Sequence, residues 1–245
     1  LVNGESMNGK TAADVASKVR GDAGTTVKLA MRRGEAKQEY AITRAQVNDP
    51  SVRWDVVNSV GVMTISRFDE QTGMLARRAA QEFIDKQVKG VVLDLRDNGG
   101  GYLTAAQALA SVWLNDQVVV TEKTGGKVVD TVKTERHALL GDMKTVVLTN
   151  GNTASASEIV AGALQEYGKA TLIGEKTYGK GTVQKIVNLS DGRILKVTTA
   201  RWYTPKGKNI TKEGITPDKT IHITKDDANA GKDTQMEAAQ SVLAS

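Results

Sequence analysis

Three short stretches of this 245-residue chain carry groups able to transfer an acyl chain. The first is GNTASASEIVAGAL, residues 151–164, where Ser155 stands three residues before Glu158. A serine on a tight strand-to-helix turn is a common seat for a nucleophile. The same Ser-x-x-Glu spacing is also a capping box, which needs no chemistry at all. Either way, the amide of Ala156 would point from a helix N-terminus, where negative charge is stabilised. The second stretch is RDNGGG, Arg96–Gly101, following the apolar run VVLDL. It reads either as a plain strand-to-helix loop or as a backbone shaped to bring a second N–H donor to an oxyanion. Ordering consecutive glycines costs roughly 1 kcal/mol each relative to alanine, so the run calls for a reason.

The third stretch is GEKTYGKGT, residues 174–182. Gly174, Gly179 and Lys180 fit the opening of a phosphate-binding loop, but Gly181 stands where a serine or threonine must reach magnesium. The segment after it alternates like a strand, not a helix. Nucleotide binding is therefore rejected. Lys180 reads as a solvated turn residue or as an amine held beside a nucleophile, with Gln184 four residues on able to orient it.

Composition narrows the alternatives. With no cysteine there is no disulfide, thiol nucleophile or cysteine metal site. The two histidines, His137 and His222, are far apart and have no ligand-spaced partner, so neither a zinc site nor a histidine triad is indicated. The net charge of +5 is spread among acids without a basic tract, which gives no footprint for nucleic acid. No apolar run reaches the roughly 18 residues of a membrane helix. LVNGESMNGKT at the start has neither the charge nor the apolar core of a signal peptide and reads as the middle of a domain.

The elements that must position these groups follow from periodicity. A short helix is expected at 12–20, then strands at 25–31 and 39–44, with a boundary at NDPS, 48–51. Beyond it, strands at 60–66, 91–95, 145–149 and 170–173 alternate with helices at 73–87, 103–114 and 155–167. Two further strands, 183–188 and 194–200, flank SDGR as a hairpin. The segment from 225 reads as a polar tail, weakly helical over 234–243. The whole is an α/β layered core, and all three stretches follow its apolar strands, where sites of open α/β sheets gather.

Taken together, LDLRDNGGG, TASASEIVAGAL, TYGKGTVQ, ARWYTPKGKNI and GITPD resemble the C-terminal processing peptidases, or tail-specific proteases, over essentially residues 1–224. The resemblance implies a ClpP/crotonase-like protease core at 48–224, preceded at 1–47 by the C-terminal part of a PDZ domain whose groove strand and carboxylate loop lie upstream. It implies a serine endopeptidase with Ser155, and neither Thr153 nor Ser157, as nucleophile, Lys180 as general base and Gln184 as the residue that positions the lysine. The oxyanion donors would be the amides of Ala156 and Gly101, with Gly100 the alternative, and Glu166 a supporting acid. Gly99 stands where many members carry proline. Expected partners are polypeptides with accessible C-terminal tails, with a homo-oligomer or an adaptor protein also open. No metal or organic cofactor is implied, and the expected location is outside the cytoplasm. Two other readings are a silent peptide-binding module on the same fold and a crotonase-like acyl-CoA enzyme.

Overall fold

The computed structural model describes residues 1–46, 49–189 and 193–244. The chain divides into two compact units, Leu1–Asp49 and Pro50–Ser245.

The first unit holds α1 (Ala12–Val19) and an antiparallel hairpin of β1 (Thr26–Arg33) and β2 (Ala36–Thr43). Thr11 and Asp14 close a reciprocal capping box at the start of α1, and Arg20, rather than Gly21, forms its C-cap.

The second unit runs β3 (Val52–Val57), β4 (Val60–Ile65), α2 (Thr72–Asp85), β5 (Gly90–Asp94), α3 (Leu103–Ala110), β6 (Val118–Thr124), β7 (Lys127–Lys133) and β8 (Thr145–Thr149). It continues with α4 (Ala156–Glu166), β9 (Thr171–Gly174), β10 (Thr182–Asn188), β11 (Ile194–Tyr203), β12 (Lys219–Thr220), α5 (Lys225–Asn229) and α6 (Thr234–Ala244). A six-stranded sheet has the order β12-β9-β8-β5-β4-β3, parallel except for the β3–β4 hairpin. GVVLD of β5 and TVVLT of β8 are buried at every residue. Strands buried along their whole length need cover on both faces, and they have it. Val91, Leu93 and Val147 pack with α2, α3 and α4, while Val92, Val146 and Leu148 point the other way onto Ala239 and Leu243 of α6.

Two differences from the sequence-based expectations matter. The segment from 225 is not a tail lying outside the core. Its α6 buries Gln235, Ala239 and Leu243 and is the helix that covers the second face of the sheet. In addition, β6 and β7 form a hairpin that the strand–helix rhythm passes over. It joins a second sheet of order β10-β11-β6-β7, whose Val119, Val120 and Trp202 enter the main core. The glycine pair Gly125–Gly126, between two alternating runs, was its signal. The SDGR turn lies largely outside the described residues.

Candidate active site

β9, β8 and β5 are adjacent parallel strands, and the three chemically promising loops leave their carboxyl ends side by side. The β8 loop delivers Ser155 in a left-handed conformation, φ 57° and ψ −117°. A non-glycine residue held there is strained, and such strain persists only where the surroundings enforce it. The capping box of Ser155 and Glu158 is present, but only one half reaches hydrogen-bond geometry: Ser155 N–H donates to Glu158 Oε2 at 2.8 Å. The Glu158 amide itself donates to the Ser155 carbonyl at 2.9 Å. The Ser155 hydroxyl is thus not consumed as a cap.

Its two neighbours of like chemistry are consumed. Thr153 Oγ1 is buried and donates to the Leu95 carbonyl at 2.9 Å, and Ser157 Oγ is buried and donates to the Asn98 carbonyl at 3.0 Å. Among the described residues, the Ser155 hydroxyl alone of the three has no hydrogen bond in the protein, and it is half-buried at a pocket wall.

The glycine loop is stitched against this turn. Asn98, 1% exposed, donates from its amide side chain to the Ile65 carbonyl and accepts from the Gly100 amide at 2.8 Å. Its carbonyl also accepts the Ala154 N–H at 3.0 Å. A Cβ on Gly100 would stand 2.7 Å from Ser155 Cβ and 2.8 Å from the Ala156 nitrogen, so the loop can approach Ser155 this closely only as glycine. Gly101, φ +150°, lies so close to the Phe68 carbonyl that any Cβ would overlap it. The hydrogen bonds separate the two donor candidates. The Gly100 N–H is already engaged by Asn98, whereas the N–H groups of Gly101 and Ala156 have no protein acceptor among the described residues. This favours Gly101 over Gly100.

Lys180 is carried by the β9–β10 loop, and its backbone is fixed from two sides. Trp202 Nε1 donates to its carbonyl at 2.8 Å, and its own N–H donates to Glu158 Oε2 at 2.9 Å. Glu158 is the residue that sequence reasoning undervalued. It is fully buried, with Oε1 accepting from Thr177 Oγ1 at 2.5 Å and Gly179 N at 2.7 Å, and Oε2 accepting from Ser155 N and Lys180 N. One carboxylate therefore ties the turn of Ser155 to the loop of Lys180. Its spacing in sequence announced only the cap.

Ser155, Ala156, Gly101, Lys180 and Gln184 line one pocket of about 360 Å³, walled by Tyr102, Leu103, Val120, Ile159, Val183 and Trp202. The Lys180 amine is half-buried there and makes no hydrogen bond with Ser155 or Gln184. Gln184 sits at a bulge in β10 and is exposed. Glu166 is elsewhere, accepting from the Lys206 amide at 2.7 Å, so it braces a turn and does not enter the pocket. Among the described residues no cluster of histidine and carboxylate groups is placed to hold a metal ion, and no helix is long and apolar enough to cross a membrane.

Residues 59–221 match the family model for Peptidase family S41. The chain belongs to this family. It is 38% identical over 222 residues to a probable CtpA-like serine protease of Staphylococcus haemolyticus, covering 90% of this chain and 45% of that protein. The corresponding protein of Staphylococcus epidermidis is 37% identical over 226 residues, covering 91% and 46%. The chain thus spans a little under half the length of these curated relatives. Among solved structures, the photosystem II D1 C-terminal processing protease superposes with a TM-score of 0.67 at 30% identity, covering 91% of this chain and 62% of that one. A putative S41 protease from Bacteroides fragilis superposes with a TM-score of 0.70 at 21% identity, covering 100% and 72%, which supports the shared fold. The matched segment, 59–221, takes in most of the parallel sheet.

Proposed function

We propose that this chain supplies the catalytic part of a serine endopeptidase working through a Ser155–Lys180 dyad and an acyl-enzyme. The observation that carries the reading is the sorting of hydrogen bonds. Around one pocket, and among the described residues, the Ser155 hydroxyl, the Lys180 amine and the amides of Ala156 and Gly101 are left without protein partners, while the hydroxyls of Thr153 and Ser157 and the Gly100 amide are engaged.

In the reaction, the Lys180 amine acts as general base and takes the proton of Ser155 Oγ as that oxygen attacks the scissile carbonyl carbon. The carbonyl oxygen becomes an oxyanion between the Ala156 and Gly101 N–H groups. Collapse breaks the C–N bond, and the departing amine takes the proton from Lys180. Water, again activated by Lys180, then hydrolyses the ester. Because Ser155 and Lys180 share the pocket without a hydrogen bond, the lysine side chain must swing toward the hydroxyl when substrate fills it. Catalytic hydrogen bonds commonly tighten only at that stage. Gln184 would steady the amine after the swing.

We read the first unit as the C-terminal part of a PDZ domain that selects polypeptides by their C-terminal tails. A capped helix followed by a hairpin is what that part would contribute. Action outside the cytoplasm belongs to the same reading. The test is cleavage of an unfolded polypeptide with an apolar tail by the full-length protein beside Ser155→Ala and Lys180→Ala. Cleavage abolished by both supports the dyad, and cleavage that survives either one rejects it.

A further inference from the structure

The loop that would deliver the Gly101 amide starts immediately after β5, and its first side chain faces away from the pocket. Arg96 is 15% exposed and is gripped from two sides. Asp94, at the end of β5, accepts from Nε at 2.9 Å and from Nη2 at 2.6 Å. Asp233 accepts from Nη1 at 3.0 Å and from Nη2 at 2.9 Å, and Gln235 accepts from Nη1 at 3.1 Å. The guanidinium is thus held in bidentate fashion by two carboxylates, one local and one 137 residues away.

Asp233 is itself fixed. Its Oδ1 accepts the Met236 amide at 2.9 Å, so it caps α6, and Gln235 donates onward to the Ile221 carbonyl at 2.7 Å. The helix is seated on Val60, Val92, Val146, Leu148 and Ile173 of the sheet. A rigid element therefore ends against the root of the glycine loop. That loop needs such a hold, because Asp97, Gly100 and Gly101 all have positive φ and relax easily once their restraints go. Asn98 restrains its middle and Phe68 its far end, whose carbonyl accepts the Tyr102 amide at 3.0 Å.

We infer that Asp233 is a positioning residue for the oxyanion hole: the Asp233–Arg96 clasp lets α6 hold the start of the 96–101 loop so that the Gly101 amide faces Ser155. Asp233 lies beyond the segment, 59–221, that defines the family match. The inference rests on the proteolytic reading for its catalytic part and on the loop geometry for the rest.

Two measurements on the full-length protein test it, with Asp233→Asn, Asp233→Ala and Arg96→Lys. The asparagine keeps a carbonyl oxygen for the Met236 cap but loses the charge and one acceptor, so the helix end survives. Hydrogen exchange of peptides spanning 95–102 should rise about tenfold in each folded variant, with exchange in β8 and α4 unchanged. Cleavage should show kcat lowered about tenfold with KM within twofold. Affinity for a peptide aldehyde, which forms a tetrahedral oxyanion on Ser155, should fall in the same proportion as kcat. Unchanged exchange at 95–102 in folded Asp233→Asn would overturn the inference whether or not the parent cleaves. Raised exchange with kcat and aldehyde affinity intact would overturn it too, since the loop would then be loosened without consequence. A parent showing no Ser155-dependent cleavage rejects the proteolytic reading instead, and the exchange measurement still decides whether the clasp holds the loop.

Discussion

The Ser155 side of the pocket, the proposed nucleophile side, and the Lys180 side, the proposed base side, are held by different means. On the nucleophile side, the turn at Ser155 and the glycine loop are stitched to each other by Asn98, Ser157 and the Ala154 amide, and Asp97 adds bonds from Asn150 and Asn152 at 2.9 and 2.8 Å. The bonds that join the two loops come from both backbone and side chains. On the Lys180 side, the backbone of Lys180 is committed to Glu158 and Trp202, while its amine has no partner among the described residues. Under the proposed dyad, the oxyanion donors would be set in advance, whereas the proton transfer would depend on one rotatable side chain. Preorganised donors suit the oxyanion, because their dipoles then need no rearrangement as charge develops.

The largest expected effect comes from removing either reacting group. Ser155→Ala and Lys180→Ala should each lower kcat by at least ~10³-fold, measured with a quenched peptide, because acyl transfer fails without nucleophile or base. Their circular dichroism should match the parent, since neither side chain carries a hydrogen bond of the fold. An active Lys180→Ala would show that the free amine on the base side is incidental.

The preorganised side can be broken at the next level. Gly101→Ala drives a Cβ into the Phe68 carbonyl and forces an unfavourable φ, so the loss of stability should be about 3 kcal/mol, with cleavage lost as well. Gly99→Ala, in the same loop, has no atom within 4 Å of its new Cβ and should stay within ~0.5 kcal/mol of the parent. A urea titration of the pair reads the contrast, and equal losses would refute the close-approach argument.

Glu158→Gln strikes the link between the two sides. It sets an amide NH₂ against two of the four donors that the carboxylate now accepts, costing about 2–3 kcal/mol by thermal unfolding. Because one oxygen serves both Ser155 and Lys180, kcat should fall by more than KM rises. An equal change in both would mean that Glu158 supports only the fold.

The smallest effect is a pH signature within the preorganised side. Hydrogen bonds from Asn152 and Asn150, aided by the charge of Arg96 and opposed by burial, hold the Asp97 carboxyl below its ordinary range. A carboxyl lowered in the folded state adds stability above its unfolded pKa, about 4, and loses it as pH falls through the folded value. Asp97→Asn should thus be less stable than the parent at pH 7, and the gap should close at acid pH. A gap that persists unchanged at pH 2 would remove the charge from the explanation.

Much of the core was legible because its signals are local. Short apolar runs, VVL in each case, announce strands covered on both faces, and the Ser-x-x-Glu box marks where α4 begins. The hairpin of β6 and β7 interrupts the strand–helix alternation, and its one local mark is the glycine pair Gly125–Gly126. For α6 the apolar positions are few and weakly periodic, so its helix could be read but not its seat on the sheet.

By itself, then, the sequence determined the alternating core, the three loops after its strands, and a resemblance specific enough to single out Ser155 and Lys180. Only the tertiary structure decided which of three hydroxyls lacks a partner among the described residues, that the Gly100 amide is engaged and the Gly101 amide is not, that Glu158 joins two loops, and that Asp233 grips Arg96. The physical reason is range. A cap or a buried strand is written in residues a few positions apart. A hydrogen bond between residues 19, 22 or 137 positions apart exists only once the sheet has brought its strand ends together.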